Sequence, residues 1–174
     1  MNKNVAATKS AEYWIKNLAL TPHPEGGYYN ETFAASEKIS IENLPGKYSG
    51  PRKIYTMIYF LLESHQVSHL HRLKSDEIWS FYTGSPLTIH VIEPDGNYIQ
   101  KKMGPDFEKN ESFQHLVRAG CWFGATVNEE ASYTLVGCFV APGFDYDDFE
   151  LAKQEELSAK YPAHRSIIER LTCR

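Results

Sequence analysis

The chain has 174 residues, 42% hydrophobic and 23% charged, which is the composition of a globular domain and too apolar for a disordered chain. Lys and Arg total 18 against 22 Asp and Glu, a net charge of -4, and the longest basic run is Lys101-Lys102, so the clustered positive field of a nucleic-acid binder is missing. The longest apolar stretch, Met57 to Leu62, falls well short of the roughly 20 residues of a membrane-spanning helix.

This length predicts a single domain over 1–174, with a core over about 21–145 and a C-terminal helical segment over about 147–172. The N-terminal run MNKNVAATKSAEYW lacks the apolar region of a signal peptide. Cys121, Cys138 and Cys173 form no paired framework and no C-x-x-C zinc motif. A reducing, cytoplasmic location is expected, with Cys121 and Cys138 as core thiols.

Ala11, Trp14, Ile15 and Leu18 recur at helical spacing, with Thr8 or Ser10 available as N-cap and Pro22 closing the segment. Pro22-His23-Pro24-Glu25-Gly26-Gly27 cannot be helical; there Gly26 and Gly27 serve backbone geometry or close approach. Tyr28 to Phe33 reads as a strand, and 35–52 as a polar loop, either a lid or a mobile connection. Strand-like runs then follow closely at 54–62, 67–72, 77–82, 87–93, 98–103, 113–117, 121–127 and 132–140. Thr83 to Pro86 and Pro94 to Asn97 supply turns. The pattern predicts an all-β sandwich or barrel, its faces burying Ile58, Phe60, Leu62, Ile89, Val91, Leu135 and Cys138 or their alternates. After Gly143 the pattern turns helical: Asp147 and Asp148 suit a helix start, Phe149 to Lys160 are helix formers, and Pro162 opens a second helix with Ile167, Ile168 and Leu171 as its stripe.

The densest chemical signal is Ser68-His69-Leu70-His71, followed by Ser75-Asp76-Glu77-Ile78-Trp79. On a strand, histidines at i and i+2 share a face, and a carboxylate beyond a tight turn can return on the neighbouring strand to meet them. His69, His71 and Glu77 thus form a candidate set for iron, manganese, nickel or zinc, or equally the polar lining of a pocket. His23 and Glu25 sit in a turn that is either structural or part of a site. His90 and His115 read as sheet residues and His164 as solvated.

His69-Leu70-His71 with Glu77 and Gly84 resembles the first motif of the cupin superfamily, and Val117 to Phe123 resembles a degraded second one. With Pro22 to Gly27 and Val140-Ala141-Pro142-Gly143-Phe144-Asp145, the set resembles an uncharacterised cupin branch, a domain of unknown function, over about 10–165. The resemblance implies a double-stranded β-helix, or jelly roll, here with a short N-terminal helix and C-terminal helices, usually dimeric, with a pocket inside the barrel. It also shows departures. Glu63 stands where a cupin has glycine, Glu77 lies one residue further from the second histidine than usual, and Phe123 replaces the third metal histidine, unless His23 or His115 substitutes through space.

The incomplete ligand set favours the metal-free relatives. The epimerases among them imply His71 as general base, Glu77 as its orienting carboxylate, and Tyr28, Tyr29, Tyr59 or Tyr82 as acid. His23, Glu25, Ser68, His69 and Trp79 are the expected ligand-binding residues, for a sugar-like or nucleotide-sugar-like molecule. The alternatives are a metal-dependent oxygenase or lyase using His69, His71 and Glu77, and a noncatalytic binding protein. The cofactor is accordingly either none or a divalent transition metal. The partners expected are a small molecule and a second copy of the chain joined through Tyr28 to Phe33, with no nucleic acid and no membrane.

Overall fold

In the computed structural model, which describes residues 9–172, the chain opens with helix α1 (Ala11–Asn17). Ser10 is extended and accepts the Tyr13 N–H, which makes it the N-cap; Thr8 and Cys173 lie outside the described residues. Trp14, Ile15 and Leu18 pack on Leu61 and Leu135, and the Trp14 indole donates to the Tyr133 hydroxyl at 2.7 Å.

The first strands are β1 (Thr21–Pro22), β2 (Tyr28–Ala34), β3 (Lys38–Ile39), β4 (Arg52–Lys53), β5 (Thr56–Glu63), β6 (Ser68–Leu73) and β7 (Asp76–Gly84). They are followed by β8 (Leu87–Ile92), β9 (Tyr98–Met103), β10 (Gln114–Val117), β11 (Trp122–Val127), β12 (Tyr133–Ala141) and β13 (Phe149–Leu151). Helices α2 (Gln154–Lys160) and α3 (Arg165–Arg170) close the chain. One sheet runs β1-β2-β5-β12-β7-β10, a second β13-β6-β11-β8-β9, and β3 pairs with β4 alone. The two sheets face each other as an all-β jelly roll, the architecture that the motif resemblance implies. Among the described residues no helix is long and apolar enough to cross a membrane.

The core between the sheets holds Phe60, Leu62, Trp79, Phe123, Val136 and Cys138, with Ile89 and Val91. Ile58 is only half-buried because it borders a cavity. Leu135 is buried on the other face, against α1, since it stands three residues from Cys138 and strand parity turns it outward; Val136 takes the inward place.

Every residue of β8 is buried. The outer face of its sheet carries a second apolar cluster in which Leu70, Ile92 and Trp122 meet Leu157, Ile168 and Leu171. Helices α2 and α3 therefore cover one sheet face, and the expected stripe of Ile168 and Leu171 is what they bury. The helix expected from Phe149 starts later, at Gln154. Phe149 to Leu151 instead form β13, because the free edge of β6 offers backbone partners from Leu73 to His71 and Phe149 inserts its ring beside the core. Pro162 opens a 3-10 turn ahead of α3. His164 is not simply solvated, since its Nε2 donates to the Gly96 carbonyl at 2.8 Å.

The 35–52 segment is tied down. Tyr48 is buried and its hydroxyl reaches Lys74 O at 3.1 Å and Ser75 Oγ at 3.0 Å. Arg52 makes a bidentate contact with Asp148, at 2.6 and 2.8 Å, both side chains being 3% exposed. This pair fixes β4 to the segment that leads into β13.

Candidate functional site

Between the sheets lies a cavity of about 190 Å³. The turn after β1 brings His23 and Glu25 to it, β2 brings Tyr29 and Glu31, and β5 brings Thr56, Ile58 and Phe60. On the opposite side stand His71 and Leu73 of β6; Glu77, Cys138 and Val140 come from β7 and β12, and Phe144 and Tyr146 from the segment after β12.

His71 and Glu77 reach this cavity by a different route from the one the spacing suggests. Strands β6 and β7 belong to different sheets and do not pair. The two-residue corner Lys74-Ser75 carries the chain across the barrel, and Asp76 pins the new strand by accepting from Ala119 N and Arg118, both at 2.8 Å. Glu77 consequently approaches His71 across the barrel interior rather than along a shared sheet.

The two histidines of β6 are separated as well. Ser68 pairs with Ala125 and His71 with Phe123, so His69 and Leu70 stand together against the single residue Gly124, a β-bulge. A Cβ on Gly124 would lie 2.5 Å from the Ser68 carbonyl oxygen, which explains glycine opposite the bulge. The extra residue cancels the i, i+2 rule: Ser68 and His71 face inward, and Leu70 faces the helices. His69 is turned against the Pro22 to Gly27 turn, its Nδ1 donating to the Glu25 carbonyl at 2.7 Å while its backbone N–H reaches the same oxygen at 2.7 Å. Gly26 and Gly27 both have positive φ, and a Cβ on Gly26 would collide with the Val67 carbonyl, so the turn approaches the β6 entry as only glycine allows.

This stitching aims the Glu25 side chain into the barrel. Ser68 Oγ donates to its Oε1 at 2.9 Å, and its Oε2 lies 3.2 Å from His71 Nε2 and 3.6 Å from His23 Nδ1. His71 Nδ1 donates to the His69 carbonyl at 2.8 Å, which leaves Nε2 toward Glu25. The nearest carboxylate to His71 is thus Glu25, and the orienting contact on its other nitrogen is a backbone carbonyl. Glu77 is 6% exposed, and its Oε2 accepts no well-formed hydrogen bond among the described residues, although the Trp79 indole N–H, also without a partner, and the Cys138 thiol lie close enough to favour its charged form.

Burial dominates the electrostatics. It pushes the Glu77 carboxyl up to about 7, with His71 opposing and Glu25 adding to the shift. It also raises Glu25, against the pull of His23 and Ser68. Both imidazoles are lowered by burial, although Glu77 favours charge on His71 and Glu25 favours charge on His23. The Cys138 thiol is held well above its ordinary value by burial and by the two carboxylates.

The other expected residues are placed as follows. Trp79 stands behind the cavity wall, edge-on to Phe60 at 5.6 Å and to Phe123 at 6.4 Å, and the Ser68 hydroxyl bonds Glu25. Of the four tyrosines, Tyr29 lines the cavity; Tyr28 packs beside α1, while Tyr59 and Tyr82 stack edge to face on the outer sheet surface. His115 bonds the Lys102 carbonyl on β9 and His90 bonds Tyr98 and Thr126, both as sheet residues. Sequence reasoning missed Tyr146, although the VAPGFD run ends one residue before it, and treated Cys138 only as core. Tyr146 is pushed up to about 12 by partial burial and the neighbouring Tyr29 hydroxyl, so it stays a proton donor at neutral pH.

A cupin superfamily model, DUF985, matches residues 12–152. This chain belongs to that cupin family. The cupin shares 39% identity with protein SO0799 of Shewanella oneidensis, whose crystal structure superposes with a TM-score of 0.86 over 95% of this chain and 99% of that one. A hypothetical protein from Leishmania major gives 40% identity and a TM-score of 0.86, over 95% and 100% of the two chains. The uncharacterized protein YML079W of Saccharomyces cerevisiae is 28% identical over 156 residues, 84% of this chain and 77% of its own. Oxalate decarboxylase from Bacillus subtilis shares the fold alone, at 14% identity and a TM-score of 0.53 over 86% of this chain and 36% of that one.

Many cupins hold a metal on the histidines and carboxylate of their motifs, and here those residues do not fit one. His69 is turned out of the cavity by the bulge, and the Phe123 ring sits 4.1 Å from the His71 ring where a further ligand would stand. Among the described residues no three His, Cys, Asp or Glu side chains group to hold a metal ion. His69 is therefore not brought together with His71 and Glu77, whereas His23, the through-space substitute, does line their cavity beside Glu25.

Proposed function

We propose that this cupin binds a small polar molecule inside the barrel and moves a proton on it without a metal, as an isomerase or epimerase acting next to a carbonyl group. The observation that carries this reading is the buried Glu25–His71 contact beside the unpartnered Glu77 carboxyl in one cavity. With Nδ1 held by a carbonyl, His71 keeps Nε2 for proton exchange, and Glu25 and His71 share protons as a pair. Glu77 meets the ligand through its free oxygen, and Tyr29 or Tyr146 is the acid. This reading keeps His71 and Glu77 as the acting groups but makes Glu25 the partner of the imidazole.

Size restricts the ligand. A cavity of about 190 Å³ is little larger than the roughly 150 Å³ space that accommodates benzene. It takes a single small ring or short chain, so the nucleotide of a sugar nucleotide would have to stay outside.

The test is solvent-deuterium incorporation into candidate carbonyl compounds, read by mass spectrometry. His71→Ala should reduce exchange by about 100-fold or more in protein that is still folded at the assay temperature, with a stability loss of about 1 to 3 kcal/mol from leaving the buried Glu25 without its His71 partner. Ligand binding without exchange in the wild type would instead favour the noncatalytic binding protein.

We also propose a homodimer in a reducing, cytoplasmic compartment. Cys121 and Cys138 are free buried thiols, β1 covers only the first two residues of β2, and Phe33 on that open edge is 63% exposed. Sedimentation at micromolar concentration should give twice the 19.9 kDa chain mass, and a monomer would remove the proposal.

A further inference from the structure

The charge of the cavity restricts its ligand further, given the reading above that this cavity is a ligand site. Three glutamates line it and no lysine or arginine does. Lys53, which does not line the cavity, lies 3.6 Å from Glu31, and both are substantially exposed. The imidazoles do not supply the missing positive charge. His23 Nδ1 accepts the Glu25 backbone N–H at 3.2 Å, the behaviour of a neutral ring, and any positive charge on His71 is already matched by Glu25, whose Oε2 lies 3.2 Å from its Nε2.

A carboxylate or phosphate entering here would therefore find no counter-ion and would face Glu25 and Glu77. Glu77 Oε2 accepts no well-formed hydrogen bond, the nearby Trp79 indole and Cys138 thiol leaving it unsatisfied, so a ligand donor on the cavity side would complete it. A hydroxyl would satisfy it with a single neutral-donor bond. An ammonium would satisfy it with a charge-assisted bond, roughly twice as strong as a bond between neutral groups, and aromatic ring faces add to its attraction. Those rings are present: Tyr29, Phe60, Phe144 and Tyr146 all border the space.

We propose that the ligand of this cavity carries an ammonium group, seated against the Glu77 carboxylate with its carbon frame among the Tyr29, Phe60, Phe144 and Tyr146 rings. The class is a small amine, such as an amino sugar or an amino-carbonyl compound, and carboxylates are rejected.

Three probes of matched shape, n-butylamine, 1-butanol and butyrate, test this by NMR titration of the 15N-labelled full chain at about pH 8, above the value of about 7 at which Glu77 loses its proton. n-Butylamine should shift the Trp79 indole signal saturably, with an affinity about tenfold or more tighter than 1-butanol, and butyrate should give no saturable shift. Glu77→Gln should erase the preference for the amine over the alcohol; if that variant does not fold, the wild-type order alone decides. Saturable butyrate binding, equal affinity for amine and alcohol, or no saturable binding of n-butylamine would each overturn the proposal. Deuterium exchange is read separately. Amine binding without exchange on any amino-carbonyl compound removes the proton-transfer reading and leaves the ammonium site, whereas exchange on an uncharged compound with no amine preference does the reverse.

Discussion

Glu77→Gln should make the protein more stable at about pH 8 and less stable in no part of the neutral range, while abolishing exchange on any substrate. The carboxyl titrates at about 7 in the fold against a reference of 4.5. Between those values the unfolded chain has lost the Glu77 proton and the folded chain retains it. The unfolded state therefore binds fewer protons, and stability falls as pH rises. The loss is complete above the folded value and amounts to about 3 kcal/mol. An amide of the same shape has no charge to bury, so the variant should gain on the order of 2 to 3 kcal/mol at about pH 8, or about 5 to 10 °C in Tm for a chain of this size. At about pH 5 the gain should shrink below about 1 kcal/mol. Thermal unfolding of both proteins at the two pH values checks this, and equal gains at both would mean that Glu77 titrates as an ordinary surface carboxyl.

Asp148→Ala should be the most damaging single change outside the core, costing about 3 to 5 kcal/mol in denaturant unfolding. It would leave the Arg52 guanidinium 3% exposed with no carboxylate to receive Nε and the paired amino group. Lys74, which approaches Asp148 at 3.2 Å, would lose its partner too. The double change Arg52→Met with Asp148→Leu should recover most of the loss, since the cost arises from the stranded charge rather than from the missing pair. Because Asp148 sits between Tyr146 and Phe149, the single variant should also weaken ligand binding. An Asp148→Ala protein within about 1 kcal/mol of wild type would show that Arg52 finds water readily.

The strands were legible in the sequence because alternation, β-branched content and turn residues all reported the same elements. Each expected run from 54–62 to 132–140 overlaps an observed strand. What escaped was set by contacts between distant segments. Phe149 to Leu151 have ordinary helix formers around them, and only the free edge of β6 turns them into a strand. The corner at Lys74-Ser75 looks in sequence like a hairpin turn, yet the chain changes sheets there. Tyr146 and the Glu25–His71 contact depend on loops whose paths no local pattern encodes. His71, Glu77, His23 and Glu25 do share one cavity, whereas His69, read by period two as the companion of His71, does not line it.

The bulge at His69 and Leu70 gives that last difference a wider meaning. Both histidines of the motif are still present, and so is the glutamate, but one surplus residue opposite Gly124 rotates one imidazole out of the barrel. A histidine pair can thus be separated in space with both of its letters, and their spacing in sequence, retained. The surplus residue is also a hinge for reversal: removing it would return two ring nitrogens to one wall, facing the Phe123 ring.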